Sequence, residues 1–125
     1  MSIPENCRYT ESHEWVRVEG DVATVGITEH AQDVLGDIVH VELPAVGKAV
    51  KKGATAAEVE SVKAVSDIYA PVSGTVTEVN GALDGNEAVI NKDPHGAGWL
   101  FKVKLADKGE VDGLLNATQY AAVAH

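Results

Sequence analysis

A weak internal repeat limits what this chain can fold into. Gly36 and Gly74, Ile38 and Val76, Val41 and Val79, and Gly47 and Gly85 are each separated by 38 positions. Between the two copies lies the run Glu58-Val59-Glu60-Ser61-Val62-Lys63-Ala64-Val65-Ser66-Asp67-Ile68-Tyr69-Ala70-Pro71, rich in small and β-branched residues on both sides of one lysine. Two similar β-units packed face to face need a joining segment that turns back at the edge of the sandwich, and its tip then projects into solvent. A lone lysine in such a run more often guards a sheet edge. Its place at a turn between repeats suits a lysine that is to be modified.

The rest of the chain reads as short strands separated by turns. Trp15 to Val18 and Ala23 to Ile27 alternate, with Val16 and Val18 on one face and Glu19-Gly20-Asp21 as the hairpin turn between. Thr28 caps a short helix with Glu29 in its first turn and apolar positions Ala31, Val34 and Leu35, ended by Gly36. Val39, Val41 and Leu43 alternate with His40 and Glu42 up to Pro44. Lys48, Lys51 and Lys52 form a solvated turn and edge. Segment 72–79 is β-rich and stops at Asn80-Gly81, while Gly85-Asn86 and Asp93-Pro94-His95-Gly96 mark loops. Trp99, Phe101, Val103 and Leu105 make a final strand in which Trp99 is first of all a core residue. Asn116, with Gln119 three residues on, starts a C-terminal helix whose Tyr120 and Val123 share a face. The pattern predicts a mainly β sandwich or barrel with two short helices.

Length and charge narrow the function. A chain of 125 residues fits one domain with a real core. That domain is expected over 1–125, with its core at about 9–106 and a helical segment at about 110–124. Ten Lys and Arg against nineteen Asp and Glu leave a formal charge of −9, which argues against a nucleic-acid partner and for steering toward basic protein faces. Cys7 is the one cysteine, so no intrachain disulfide is expected, nor a redox role for it. No stretch has the length and apolarity of a membrane span, and Met1 to Asn6 lack the features of a signal or transit peptide. A bacterial cytoplasmic setting is expected, with a mature mitochondrial form as the alternative. His13, His30, His40, His95 and His125 fall at no metal-ligand spacing. No nucleophile-elbow or phosphate-loop pattern occurs.

The run E-S-V-K-A followed by S-D-I-Y-A-P-V-S-G resembles the lipoyl-attachment region of the glycine cleavage system H-protein family. Ser12-His13-Glu14-Trp15, Val25-Gly26-Ile27-Thr28, His30-Ala31-Gln32, Gly36-Asp37, Val41-Glu42-Leu43-Pro44 and the late run from Asn91 to Leu100 resemble it in order, so the likeness spans about Tyr9 to Tyr120. Departures are small: His95 stands where a tyrosine is common, and Ala56-Ala57 fall in a variable stretch.

That resemblance implies a flattened β-sandwich of the lipoyl and biotinyl carrier type, built from two quasi-symmetric four-stranded halves. It implies (R)-lipoate on Lys63 in amide linkage and a carrier with no catalytic residue of its own. The partners implied are a pyridoxal-phosphate glycine decarboxylase, a tetrahydrofolate-dependent aminomethyltransferase, a flavin (FAD) dihydrolipoyl dehydrogenase and a lipoate-attaching enzyme, with the carrier a monomer. Glu60, Ser61, Val62 and Ala64 are the candidates for recognition by the attaching enzyme or partners, with a plain surface carboxylate the alternative for Glu60. Ser12, Glu14 and Asp67, with His30 a weaker choice, are the candidates for a cleft that shelters the loaded arm. The alternative, that Glu14 and Asp67 are plain exposed strand and turn residues, is equally open at this point. A biotin carrier sets its lysine in Ala-Met-Lys-Met, unlike Val62-Lys63-Ala64. A lipoyl domain or relay for 2-oxoacid dehydrogenases, and a plain β-sandwich interaction domain, are the other readings.

Overall fold

The computed structural model describes residues 3–124; Met1, Ser2 and His125, which bear on the leader and metal-spacing expectations, lie outside the described residues. In chain order the elements are β1 (Arg8–Tyr9), β2 (Glu14–Glu19), β3 (Val22–Ile27), α1 (Glu29–Leu35), β4 (Ile38–Glu42), β5 (Ala49–Val50), β6 (Thr55–Ser61), β7 (Val65–Tyr69), β8 (Gly74–Val79), a 3-10 turn (Gly81–Leu83), α2 (Ala88–Lys92), β9 (Phe101–Leu105), α3 (Gly109–Asp112) and α4 (Ala117–Val123). One sheet runs β1-β2-β3-β9-β8-β5 and the other β4-β6-β7, with every neighbouring pair antiparallel. The expected division into two four-stranded halves is thus replaced by six strands against three. The hairpin β2–β3 pairs through β3 with β9 and carries β1 on its outer edge, which widens one sheet only.

The repeat nevertheless has a structural counterpart. Ile38 of β4 and Val76 of β8 are both buried, at 4% and 1% exposure. Each is followed by a register shift against its partner strand, between Ile38 and His40 in β4 and between Val76 and Glu78 in β8. Such a bulge inserts one residue and re-aims the side chains that follow. It explains why Val39 is 48% exposed although alternation places it inward.

Between the sheets lie Val16, Val25, Ile27, Val59, Ile68, Val76, Phe101 and Val103, all buried. A second cluster holds Cys7, Tyr9, Trp15, Tyr120 and Ala124, where α4 closes over the outside of the N-terminal strands. Tyr9 and Tyr120 stack at 4.6 Å. The loop before β9 joins this cluster through Trp15, whose indole N–H donates to the Pro94 carbonyl at 2.9 Å. His95 accepts from the Glu29 backbone N–H at 3.1 Å and so ties the same loop to the start of α1.

Helix ends follow the sequence closely. Thr28 caps α1 by accepting from the Ala31 N–H, and Gly36 ends it at φ +80°. Asn116 and Gln119 form a reciprocal capping box on α4. Other expectations need correction. Two helices become four, with the 3-10 turn in addition, because α2 and α3 are short and begin without a side-chain cap. Val18 and Val123 are 37% and 44% exposed, at the turn end of the β2–β3 hairpin and on the outer side of α4. Val34 is 62% exposed, and the buried residue of α1 is Gln32. Trp99 precedes β9 and is only half-buried, with the Lys102 ammonium 5.1 Å above its ring. No helix among the described residues is long and apolar enough to cross a membrane.

Candidate functional site

Lys63 occupies the turn between β6 and β7 and is exposed. The turn is tight because the Ser61 N–H donates to the Ala64 carbonyl at 2.8 Å, leaving Val62 and Lys63 at its apex. Ser61 is buried, and its hydroxyl oxygen accepts from the backbone N–H groups of Lys63 at 3.3 Å and Ala64 at 3.1 Å. A hydroxyl satisfying local backbone donors in this way fixes a turn without help from a longer element. Val62 and Ala64 are exposed beside the lysine, as is Glu60, which sits across β4 from His40 and across β7 from Val65. Of the four residues proposed for recognition, three therefore present side chains to solvent, while Ser61 turns inward and braces.

The tip is also fastened to its surroundings. The Val62 N–H donates to the Asp37 carbonyl at 3.1 Å, which joins the hairpin to the segment that follows α1. Asn91 of α2 grips that segment on both sides, donating to the Gly36 carbonyl at 2.8 Å and accepting from the Ile38 N–H at 2.9 Å. It also donates to the Gln32 side chain at 3.0 Å. Neither Asn91 nor Gln32 stands out in the sequence as a site residue. The late run from Asn91 to Leu100 and the stretch His30-Ala31-Gln32 are the signals that point there.

A cleft of about 230 Å³ opens between α1, β7 and the turn before β2, lined by Ser12, His13, Ile27, His30, Ala31, Val34, Leu35, Ser66, Asp67 and Ile68. It brings together three of the four residues proposed for an arm cleft: Ser12, His30 and Asp67. Its walls along α1 and Ile68 are apolar, and its far end is polar. That pairing suits a narrow alkyl chain ending in a charged or polar head. A larger groove of about 320 Å³, lined by residues of 42–45 and 55–58 with Lys48, lies at the other end of β6 and includes no residue of the lysine turn.

Glu14 stands apart from the other three. It is 1% exposed, which removes the alternative of a plain exposed strand residue, while Asp67 is exposed at the cleft. The Glu14 carboxylate accepts from the hydroxyls of Thr10 and Ser12, each at 2.6 Å, and from the Tyr69 N–H at 3.3 Å. It lines a smaller hollow of about 140 Å³ that shares Ser12 with the main cleft. Burial pushes its carboxyl above the ordinary range, and the hydrogen bonds from Ser12 and Thr10 offset part of that. Glu14 is thus joined to the cleft lining by the hydrogen bond from Ser12.

His13 also lines the cleft, although nothing but its place in the S-H-E-W motif singles it out in the sequence. Its backbone is left-handed at φ +72°, which turns its ring toward α1 and α4. The ring lies 4.5 Å from that of His30, and Nδ1 is 2.8 Å from the Tyr120 hydroxyl, itself 2.7 Å from Thr28 Oγ1. Burial, with His30 beside it, lowers the affinity of His13 for a proton. His13 and Asp67 both line the cleft.

Comparison with known proteins matches nearly the whole chain. A family model described as glycine cleavage H-protein matches residues 7–125. The glycine cleavage system H protein of Alcanivorax borkumensis is 57% identical over 120 residues, 96% of this chain and 94% of the relative. That of Thermotoga maritima is 57% identical over 113 residues, covering 90% and 91%. Among solved structures, the glycine cleavage system H protein of Mycobacterium marinum superposes with a TM-score of 0.89 at 44% identity, covering 96% of this chain and 97% of that one.

Proposed function

The chain belongs to the glycine cleavage H-protein family, whose role is that of a lipoyl carrier, and from this premise we propose that Lys63 is the residue that bears the lipoyl group. The observation that carries the assignment is the braced turn: the lysine is exposed at the apex of a hairpin that Ser61 and Asp37 hold in place. A modifying enzyme needs an amine it can surround and desolvate, on a support that does not move when gripped. Val62, Ala64 and Glu60 are the side chains that such an enzyme meets first.

Bound in amide linkage, lipoate supplies a dithiolane that accepts the aminomethyl unit of glycine and is reoxidised afterwards. The chain's own residues position and shelter. Ala31, Val34, Leu35 and Ile68 offer an apolar wall to an acyl chain, and Ser12, His13, His30 and Asp67 form the polar end. Asp67 favours a cationic head there, and Glu14 holds Ser12 toward it. No bond is made or broken by these side chains, so the protein works as a carrier rather than an enzyme. Its partners on this reading are the glycine decarboxylase, the aminomethyltransferase, the dihydrolipoyl dehydrogenase and the lipoate-attaching enzyme, met by a single monomeric domain in a bacterial cytoplasm.

The test is an intact mass of the chain after incubation with a lipoate ligase, lipoate and ATP, with peptide mapping and a Lys63→Arg control. Lipoyl mass on the Lys63 peptide, missing from the control, is the expected result. A folded chain that takes up no lipoyl mass, or takes it up on another lysine, overturns the assignment.

A further inference from the structure

The Lys63 side chain does not point straight out from its turn. A methyl group built on Gly36 would lie 3.2 Å from Lys63 Cε and 3.7 Å from Nζ, so the alkyl stem already rests against the bare backbone of Gly36. Gly36 adopts φ +80° and ψ −155°, a conformation that side-chain-bearing residues essentially do not populate. It follows directly on Val34 and Leu35, which line the cleft. At a helical rise of 1.5 Å per residue, the face of α1 carries a path of about 7.5 Å from Leu35 back to His30 at the polar end.

We propose that Gly36, clamped by Asn91, is a positioning residue for the lysine arm: its missing side chain forms a saddle that lays the Lys63 stem down toward α1 and aims whatever the amine carries into the cleft. The clamp is what makes the saddle stiff. Asn91 holds the Gly36 carbonyl and the Ile38 N–H, and the intervening Asp37 carbonyl receives the Val62 N–H of the lysine turn. Hairpin tip and helix end are thereby locked to one side chain from α2. The proposal rests on Lys63 as the attachment residue and on the cleft between α1 and β7 as the resting place of the arm.

Two measurements test it. In the unmodified, isotope-labelled chain, NMR should show cross-relaxation between the Gly36 α protons and the Lys63 ε protons, lost in Gly36→Ala and in Asn91→Leu. Gly47→Ala is the control, because Gly47 is also at positive φ, +90°, with nothing within 4 Å of an added methyl. In the lipoylated chain charged with an aminomethyl group, the lifetime of that group should exceed its lifetime on free dihydrolipoamide. Gly36→Ala and Asn91→Leu should shorten it severalfold, and Gly47→Ala should not. A wild-type lifetime equal to that of the free compound brings down the cleft itself and the proposal with it. Protection in the wild type that persists unchanged in Asn91→Leu and Gly36→Ala leaves the cleft standing and overturns the saddle. Asn91→Leu keeps Gly36 in the sequence, so the result does not hang on the folding of the alanine variant.

Discussion

The hydroxyl of Ser12 donates a 2.6 Å hydrogen bond to the carboxylate of Glu14, and that carboxylate is almost wholly removed from solvent. A buried carboxyl whose proton affinity is raised disfavours its own ionisation in the folded chain. The unfolded chain ionises first, at the ordinary value of 4.5, so stability contributed by neutral Glu14 is complete below that value and declines as pH rises to the raised one. Urea denaturation of wild type and Glu14→Gln across pH 4 to 8 checks this. The advantage of the wild type should shrink with rising pH; a constant difference contradicts it.

Ser61 offers a test of the lysine turn that leaves the lysine alone. Ser61→Ala removes the acceptor for two backbone N–H groups and should cost about 1–2 kcal/mol. Lipoylation, followed as a mass time course, should slow by more than the loss of folded protein accounts for. If the rate per folded molecule is unchanged, the brace has no part in recognition.

Tyr120 and His13 link the C-terminal helix to the cleft. Tyr120→Phe leaves His13 Nδ1 and Thr28 Oγ1 without their shared hydroxyl and should destabilise by about 1–3 kcal/mol in chemical denaturation.

His13 and His95 are both held less basic than the ordinary 6.5, chiefly by burial. Stability from keeping them neutral is therefore present above 6.5 and is lost as pH falls toward their lowered values. Melting temperatures should drop between pH 7.5 and 5.5, and His13→Asn, which tolerates the left-handed backbone, should flatten that slope. An equal slope in the variant rules His13 out as a contributor.

Two glycines should respond in opposite ways to alanine. A methyl on Gly74 would lie 2.0 Å from the Lys104 carbonyl oxygen and 2.6 Å from Val103, with backbone that cannot yield across the β8–β9 pairing, so Gly74→Ala should cost about 3 kcal/mol or more. Gly81 has open space around it and no positive φ, and Gly81→Ala should be neutral or add about 0.5 kcal/mol. Thermal unfolding of the pair distinguishes a close strand approach from a general intolerance.

Features that depend on neighbours along the chain are legible in the amino-acid sequence: the hairpin turn at Gly20, the Thr28 and Gly36 ends of α1, the Asn116 capping box, and the turn carrying Lys63. Each is fixed by local hydrogen bonds. Features that depend on what a residue meets across the fold are not. Glu14 is left open between cleft and exposed strand by the sequence and is buried, because its three partners come from two separate segments. Val39 reads as core and is exposed, because a bulge has no signature in alternation. Asn91, in a helix that the pattern does not predict, and Gln32, a polar position of α1, hold the site together. The left-handed backbone of His13 carries only a weak residue-type signal, the modest preference of histidine for that region.

Cys7, the one cysteine of the sequence, is sealed at 3% exposure among Tyr9, Trp15 and Tyr120, and burial raises its thiol well away from easy ionisation. A scaffold that hands a sulfur-based passenger between enzymes is in danger of capturing that passenger itself by thiol–disulfide exchange. Here the described surface presents no sulfhydryl to exchange with. Cys7 therefore offers a sulfur-bearing passenger no accessible thiol with which to form a mixed disulfide.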